Sequence, residues 1–284
     1  MRLLNRCALA GGLALALLSL PAFVAAQTEN ATEPHPRLFP LMKELVKDRP
    51  DLPPPYGVGI ISNWIQSDWR FNSATVGIDD ASVPVEAAPN CTANIQTTTI
   101  GVKGDLWVLP FFNVFVAGGS VVANNQLILR DVPLDFIPPR TVRGDVVVAF
   151  DLDGSFYTFG GVIAGGYKKF FFPVDFSATE TNFGKKELVE ADQSLNYSVA
   201  PRVGYQFGLT QLWVGARYLN TSNQFKGTIP IPSGHNFSFN VDLETVSWNA
   251  TGGVRTVIKD HWEALLEAGV GRRHVITGYV GYRW

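Results

Sequence analysis

Hydrophobic and polar residues alternate over long stretches of this chain, most clearly between residues 195 and 208. Successive side chains of a β-strand point to opposite faces, so a period of two predicts a strand with one apolar and one polar face. One face here carries Leu195, Tyr197, Val199, Pro201, Val203, Tyr205 and Phe207, and the other carries Asn196, Ser198, Ala200, Arg202, Gly204 and Gln206. The same division recurs in 94–108 and 261–271, which predicts an all-β chain.

Strand-length segments follow one another from Tyr56 onward, and the connections between them are alternately short and long. About ten strands are predicted, near 56–72, 94–108, 111–123, 151–168, 170–181, 195–208, 211–225, 241–258, 261–271 and 274–284. Eight or twelve strands are alternatives, because 144–153 is a further candidate. Tight turns are predicted at 109–110, 168–169, 208–211 and 258–260, and long loops at 73–93, 124–150, 182–193 and 226–240. This rhythm is typical of an antiparallel up-and-down barrel that spans a membrane.

Periodicity alone leaves two interpretations of the apolar face. In a soluble sandwich it packs in the core and the polar face meets water. In a membrane barrel it meets lipid and the polar face lines the lumen. The ends of the chain favour the second interpretation.

The amino terminus has the features of a secretory signal peptide. Two arginines, Arg2 and Arg6, precede an apolar run at 8–18, and the small residues of 24–26 lead into Gln27. This order predicts a cleaved segment at 1–26. No later stretch approaches the ~20 apolar residues of a transmembrane helix, so strands must do any spanning.

Residues 27–55 are rich in proline and contain the one convincing helical pattern. The pattern consists of Leu38, Leu41, Met42, Leu45 and Val46. It predicts a short amphipathic helix on the periplasmic side of a barrel formed by 56–284, with a loosely ordered tail as the alternative.

The carboxyl terminus ends on an alternating strand whose last residue is aromatic. Gly278, Tyr282 and Trp284 lie on its predicted lipid face, whereas Thr277 and Arg283 lie on the other. This ending resembles the carboxyl-terminal assembly signal of Gram-negative outer-membrane barrels, and the whole chain resembles the broad OmpA-like and porin-like set. The resemblance implies an outer-membrane location, contact with outer-membrane lipids and insertion by the barrel assembly machinery.

Charged residues on the predicted inner face form a candidate functional layer of the lumen. Its members are Lys103, Asp105, Asp175, Arg202, Arg217, Arg255, Glu263, Glu267 and Arg283. The predicted turns place Arg255 opposite Glu263, Glu263 opposite Arg283, Glu267 opposite Tyr279, and Arg202 opposite Arg217. Two facing arginines repel each other, so Asp175 and Glu267 are predicted to lie beside them.

This layer has two interpretations. It is a salt-bridged plug, because side chains nearly fill a barrel of this size, or a mixed-charge constriction that admits small solutes. The first functional hypothesis is a narrow porin-like channel for small hydrophilic solutes. The second is a non-conducting surface protein that acts through long outer loops, and the third is an outer-leaflet lipid-modifying enzyme.

Other chemistry has little support in the sequence. The four histidines lie near no identifiable nucleophile, so the protein is predicted not to be an enzyme. Cys91 is the one cysteine after the predicted leader, which excludes a disulfide framework. Residues 151–154 (DLDG) lack the later glutamate of a calcium loop and are interpreted as a turn or bulge.

The net charge of −2 does not indicate a nucleic-acid-binding protein, and no metal or cofactor is predicted. Oligomeric state is left open.

Overall fold

A computed structural model of the protein describes residues 39–42, 54–79, 81–85, 92–133, 143–184, 189–191, 193–230, 235–259 and 261–284. Ten long strands and two short ones form within these residues. They are β1 (Tyr56–Ile78), β2 (Ala81–Val85), β3 (Thr92–Leu109), β4 (Phe112–Pro133), β5 (Arg143–Tyr167), β6 (Phe170–Phe183), β7 (Val189–Ala191), β8 (Ser194–Phe207), β9 (Thr210–Pro230), β10 (Asn236–Ile258), β11 (Trp262–Gly271) and β12 (Arg273–Arg283).

The ten long strands close into an antiparallel up-and-down barrel. Each pairs with the long strands before and after it, and β12 returns to pair with β1 from Gly57↔Arg283 to Ser67↔Arg273. The predicted fold class and strand number are confirmed. We call the end with the tight turns and the carboxyl terminus the turn end, and the opposite end the loop end.

The strands extend further toward the loop end than the sequence predicted. β4 continues to Pro133 and β5 begins at Arg143, so most of the predicted loop 124–150 is strand. The turn predicted at Asp151 to Gly154 is wrong, since these residues pair with β4 in unbroken register. Polar residues here are one face of an alternation whose other face, including Leu152, is buried.

Strand β1 changes partners along its length. Its first part pairs with β12, whereas Arg70 to Ile78 pair with β10, and a bulge between Phe71 and Ser73 interrupts this second pairing. The exchange occurs because β11 and β12 have only 10 and 11 residues, about the number needed to cross a bilayer, and β1 has 23. Beyond the tip of that short hairpin, β1 and β10 close the wall directly.

A belt of apolar side chains surrounds the half of the barrel nearer the turn end. Its exposed members include Ile60, Ile100, Val102, Val116, Phe159, Ile163, Phe172, Tyr197, Val214, Trp248, Trp262, Leu266, Val270, Ile276, Tyr282 and Trp284. Rings of Tyr56, Tyr282 and Trp284 stack at the turn end, as aromatic residues do at a bilayer interface. The predicted outward faces of 94–108, 195–208, 261–271 and the last strand are confirmed.

Beyond the belt, toward the loop end, the outer surface becomes polar. Its side chains include Asp68, Asn94, Asn124, Gln126, Asp151, Gln224, Asp242 and Glu244. Hydrogen bonds link several of them, for example Asn94 to Asp68 at 2.9 Å and Gln224 to Asn240 at 3.0 Å. This surface suits water or lipid head groups.

The amino-terminal helix prediction falls largely outside the described residues. Leu41 and Met42 are described as an exposed turn in which the Leu41 N–H donates to the Val108 carbonyl at 2.9 Å. Leu38, Leu45, Val46 and the predicted signal peptide are outside the described part. No described helix is long and apolar enough to cross a membrane.

Candidate functional site: the lumen

Four charged side chains form an ion cluster inside the turn end, which we call the first cluster. Arg283 lies between Asp105, at 2.6 Å, and Glu263, at 3.1 Å, and Arg255 also pairs with Glu263. Asn113 donates a further hydrogen bond to Asp105 at 2.8 Å. Strands β3, β10, β11 and β12 therefore meet in one buried, neutral network.

A second cluster lies deeper in the lumen. Arg202 pairs with Asp175 and, at 2.8 Å, with Glu267. Arg217 reaches the other oxygen of Glu267 at 2.5 Å, and the Trp213 indole N–H donates to this carboxylate at 2.9 Å. Because β8 and β11 are not neighbouring strands, these contacts cross the lumen.

The cross-strand register differs by two residues from the predicted one. Arg202 lies opposite Gly215 rather than Arg217, and Arg255 lies opposite Leu265 rather than Glu263. The turn between β8 and β9 is a two-residue loop that begins at Gly208, whose φ of 58° suits glycine. The predicted turn was two residues longer.

The same shift affects the two acidic residues of β11. Glu263 lies opposite Gly281 rather than Arg283, and Glu267 opposite Thr277 rather than Tyr279. The ion pairs form nonetheless, because long side chains reach diagonal neighbours on the same face. The structure thus brings eight of the nine candidate lumen residues into two clusters.

Lys103 is the ninth candidate and lies over aromatic rings. Its ammonium is 4.8 Å from the ring centroid of Phe115 and 5.1 Å from that of Tyr279, within the range of cation–π attraction. A Cβ on Gly281 would lie 2.1 Å from the Tyr279 hydroxyl, so only glycine leaves room for this ring. The sequence analysis did not consider Tyr279 as a cation partner, although Gly281, two residues further along the same face of β12, was a usable signal.

Arg273 is a lumen residue that the sequence analysis missed. The sequence analysis assigned it no role, yet the residue is only 2% exposed. Its guanidinium contacts the Ser247 carbonyl at 3.4 Å, and its own carbonyl accepts from the Asn249 amide at 2.7 Å. The side chain points into the lumen because Arg273 lies on the same face of β12 as Thr277 and Arg283.

Apolar side chains fill the lumen beyond the clusters, toward the loop end. Phe150 contacts Phe225 and Phe239 at ring-centroid distances of 5.6 and 6.1 Å, although β5 is a neighbour of neither β9 nor β10. The rest of this core includes Trp69, Ala74, Val76, Ala93, Ile95, Ala123, Leu127, Val148, Leu152, Val189, Phe237, Val241 and Leu243. The lumen is therefore occupied by ion clusters in one half and by a hydrophobic core in the other.

The described histidines are not members of either ion cluster. His235 contacts Asp79 at 2.6 Å at the loop end, where the Asn236 backbone N–H and then His235 lower the pKa of Asp79. His261 bonds the Arg283 carbonyl at the turn end, and His274 is exposed on the outer face. In the described part of the chain no group of histidine, cysteine or acidic residues is placed to hold a metal ion. That the protein is not an enzyme stays a prediction.

The closed sheet, the apolar belt and the polar lumen inside it define a transmembrane β-barrel of the outer-membrane type. No protein-family model matches the chain, and no curated protein matches it.

Solved structures of similar fold include three outer-membrane proteins. OprG from Pseudomonas aeruginosa shares 12% identity over 82% of this chain and 99% of that chain, with a TM-score of 0.44. The transport unit of the autotransporter AIDA-I from Escherichia coli shares 9% over 84% and 92%, with a TM-score of 0.41. Ail, the attachment invasion locus protein of Yersinia pestis, shares 8% over 80% and 98%, with a TM-score of 0.32.

Proposed function

We propose that this protein is a non-conducting barrel of the outer membrane that acts through the surface at its loop end. The signal-peptide pattern at 1–26 and the terminal aromatic strand support export and assembly there. In this orientation the turn end faces the periplasm and the loop end faces the exterior.

The main support for the proposal is that side chains block the lumen at two successive levels along its axis. The ion clusters cross it in the membrane half, through Arg202 and Glu267. The hydrophobic core crosses it beyond the belt, through Phe150, Phe225 and Phe239. A hydrated solute would have to break buried ion pairs and then cross an apolar region that offers it no hydrogen bonds.

The extension beyond the membrane supports a role at the surface. β1, β5 and β10 have 23, 25 and 23 residues, about twice the number that crosses a bilayer. The hydrophobic core makes this extension a rigid platform with a polar exterior. Such a platform suits a binding or envelope-stabilising role.

A narrow channel for small hydrophilic solutes is the competing candidate. It is favoured by the side chains of Asp175 and Arg217, which face the lumen yet are 30% and 25% exposed, so space remains beside them. This channel requires both closures to open.

Planar-bilayer conductance of the refolded full chain distinguishes the two candidates. We expect no regular current steps from the wild type, nor from the double variant Arg202→Ala and Arg217→Ala, because the hydrophobic core remains closed. Lys259→Ala, at a turn outside the lumen, is the matched control. Regular steps from the wild type that change size in the double variant, but not in the control, would establish the channel instead.

A further inference from the structure

Among the described residues, more cationic than anionic side chains face the lumen. Its inward-facing charges are four carboxylates and six cations. The first cluster combines Asp105 and Glu263 with Arg255 and Arg283, and the second combines Asp175 and Glu267 with Arg202 and Arg217. Both clusters are neutral, so Lys103 and Arg273 are the two cations left over.

These two cations differ in their surroundings. Lys103 is stabilised by the rings of Phe115 and Tyr279. Among the described residues, the Arg273 guanidinium donates to the Ser247 carbonyl at the long distance of 3.4 Å, and its Nε–H has no hydrogen-bond partner there. A buried guanidinium without a counter-charge is costly, because desolvation is not offset by an ion pair.

A second arginine lies close to Arg273 and increases this cost. Asn249 is the cross-strand partner of Arg217, and its side-chain amide donates to the Arg273 carbonyl. The guanidinium of Arg217 carries the same charge as that of Arg273, and the two repel each other. The Nε–H of Arg217 also lacks a partner among the described residues.

Space and further polar groups are present at the same place. The Arg217 side chain is 25% exposed although it faces the lumen, which leaves room beside its guanidinium. The hydroxyls of Ser247 and Thr251, on the inward face of β10, have no partner in the described structure. Arginine N–H groups and hydroxyls are donors that suit an anion.

We propose that the lumen holds a small inorganic anion of chloride size between Arg217 and Arg273. Such an ion accepts hydrogen bonds from both guanidinium groups, reduces their repulsion and lowers the net positive charge of the described lumen. The closures on both sides restrict the site to small ions. This assignment does not depend on whether the barrel conducts, because it rests on the local charge balance.

A bromide derivative tests the site directly. The full chain is refolded and crystallised with bromide in place of chloride, and anomalous scattering locates the ion. We expect one lumen peak within hydrogen-bonding reach of both Arg217 and Arg273. A lumen without a peak, or with a peak only at Lys103, would overturn the proposal.

Stability in different salts gives an independent readout. We expect the urea midpoint of protein refolded in sodium chloride to exceed that in sodium gluconate at equal ionic strength, because gluconate is too large for the site. Arg273→Met keeps the length of the side chain without the charge, and should remove this difference. Lys259→Met, at an exposed turn, should keep it. An equal salt response in wild type and Arg273→Met contradicts the assignment, and if Arg273→Met does not fold, the bromide experiment on the wild type decides.

Discussion

The two halves of this barrel share the alternation of apolar and polar side chains, but the apolar face points outward in one half and inward in the other. In the belt half the outward side chains are apolar and the inward ones polar, as in Leu266 and Glu267 of β11. In the loop-end half the assignment is reversed, as in Glu244 and Leu243 of β10. The belt half resembles a membrane protein and the loop-end half a soluble β-protein, and both are built on continuous strands.

The reversal shows that the medium outside each half determines which residues belong inside. Lipid lets apolar groups face outward, so the interior can hold charges that pair with one another. Water outside the other half drives apolar groups inward, where Phe225, Leu243 and Leu152 are almost fully buried. Ion pairs and hydrogen bonds stabilise the interior of the belt half, and apolar packing stabilises the interior of the loop-end half.

The largest effect is expected from placing a charge in the hydrophobic core. Leu152→Asp buries a carboxylate with no partner, and we expect the free energy of unfolding to fall by about 4 kcal/mol or more. Urea unfolding followed by tryptophan fluorescence measures it. The matched control is the adjacent outward residue, Asp151→Asn, expected to change stability by less than about 0.5 kcal/mol. Equal effects at the two positions would show that the core is not formed.

A slightly smaller effect is expected in the first cluster. Arg283→Met leaves Asp105 buried without a cation, and we expect a loss of about 3–5 kcal/mol in the free energy of unfolding. Adding Asp105→Asn to this variant should restore part of the loss, since the uncompensated charge is removed. A double-mutant cycle in urea gives the coupling. No recovery in the double variant would mean that packing, and not charge, sets the cost.

Hydrogen bonds between neutral groups in the belt half should matter less. The Thr158 and Thr179 hydroxyls are 2.9 Å apart on neighbouring strands. Thr158→Val leaves the other hydroxyl unpaired and should cost about 1 kcal/mol, whereas replacing both by valine should cost less than the single change. An additive double variant would contradict this account.

The smallest effect is expected at the exposed contact between Asp79 and His235. The pKa of Asp79 is lowered by the Asn236 backbone N–H and then by His235, so its ionised form favours the folded state. This contribution is present above the aspartate pKa of the unfolded chain, about 3.9, and is lost as pH falls through the lower folded value. The urea-midpoint difference between wild type and Asp79→Asn should therefore shrink below about pH 4. A constant difference across that range would contradict it.

Much of the architecture could be predicted because alternation is local. Strand number and the four tight turns follow from a period of two and from turn residues. The lipid face of the belt needed the signal-peptide pattern and the terminal aromatic strand as well, since a period of two fits lipid or water outside. The strand extensions were missed because outward polar residues such as Asn124 and Gln126 were interpreted as part of a loop. These residues face away from a buried core that the membrane-barrel interpretation did not anticipate.

The sequence predicted which residues belong to the candidate site better than it predicted which of them lie opposite each other. Asp175 and Glu267 could be matched with Arg202 and Arg217 because like charges on one face need carboxylates nearby. The pairings themselves were displaced by two residues, since register depends on turn lengths that the sequence leaves ambiguous. Arg273 was missed for the same reason.

The sequence by itself determined that this chain forms alternating strands with aromatic, apolar side chains on one face and paired charges on the other. Only the tertiary structure decided that the apolar face points outward in one half of the barrel and inward in the other, because the same alternation satisfies lipid outside or water outside. Closure of the barrel also decided which charges touch, since Arg202 and Glu267 come from strands that meet only across the lumen. Contacts between distant segments are a property of the closed sheet, and a local pattern does not contain them.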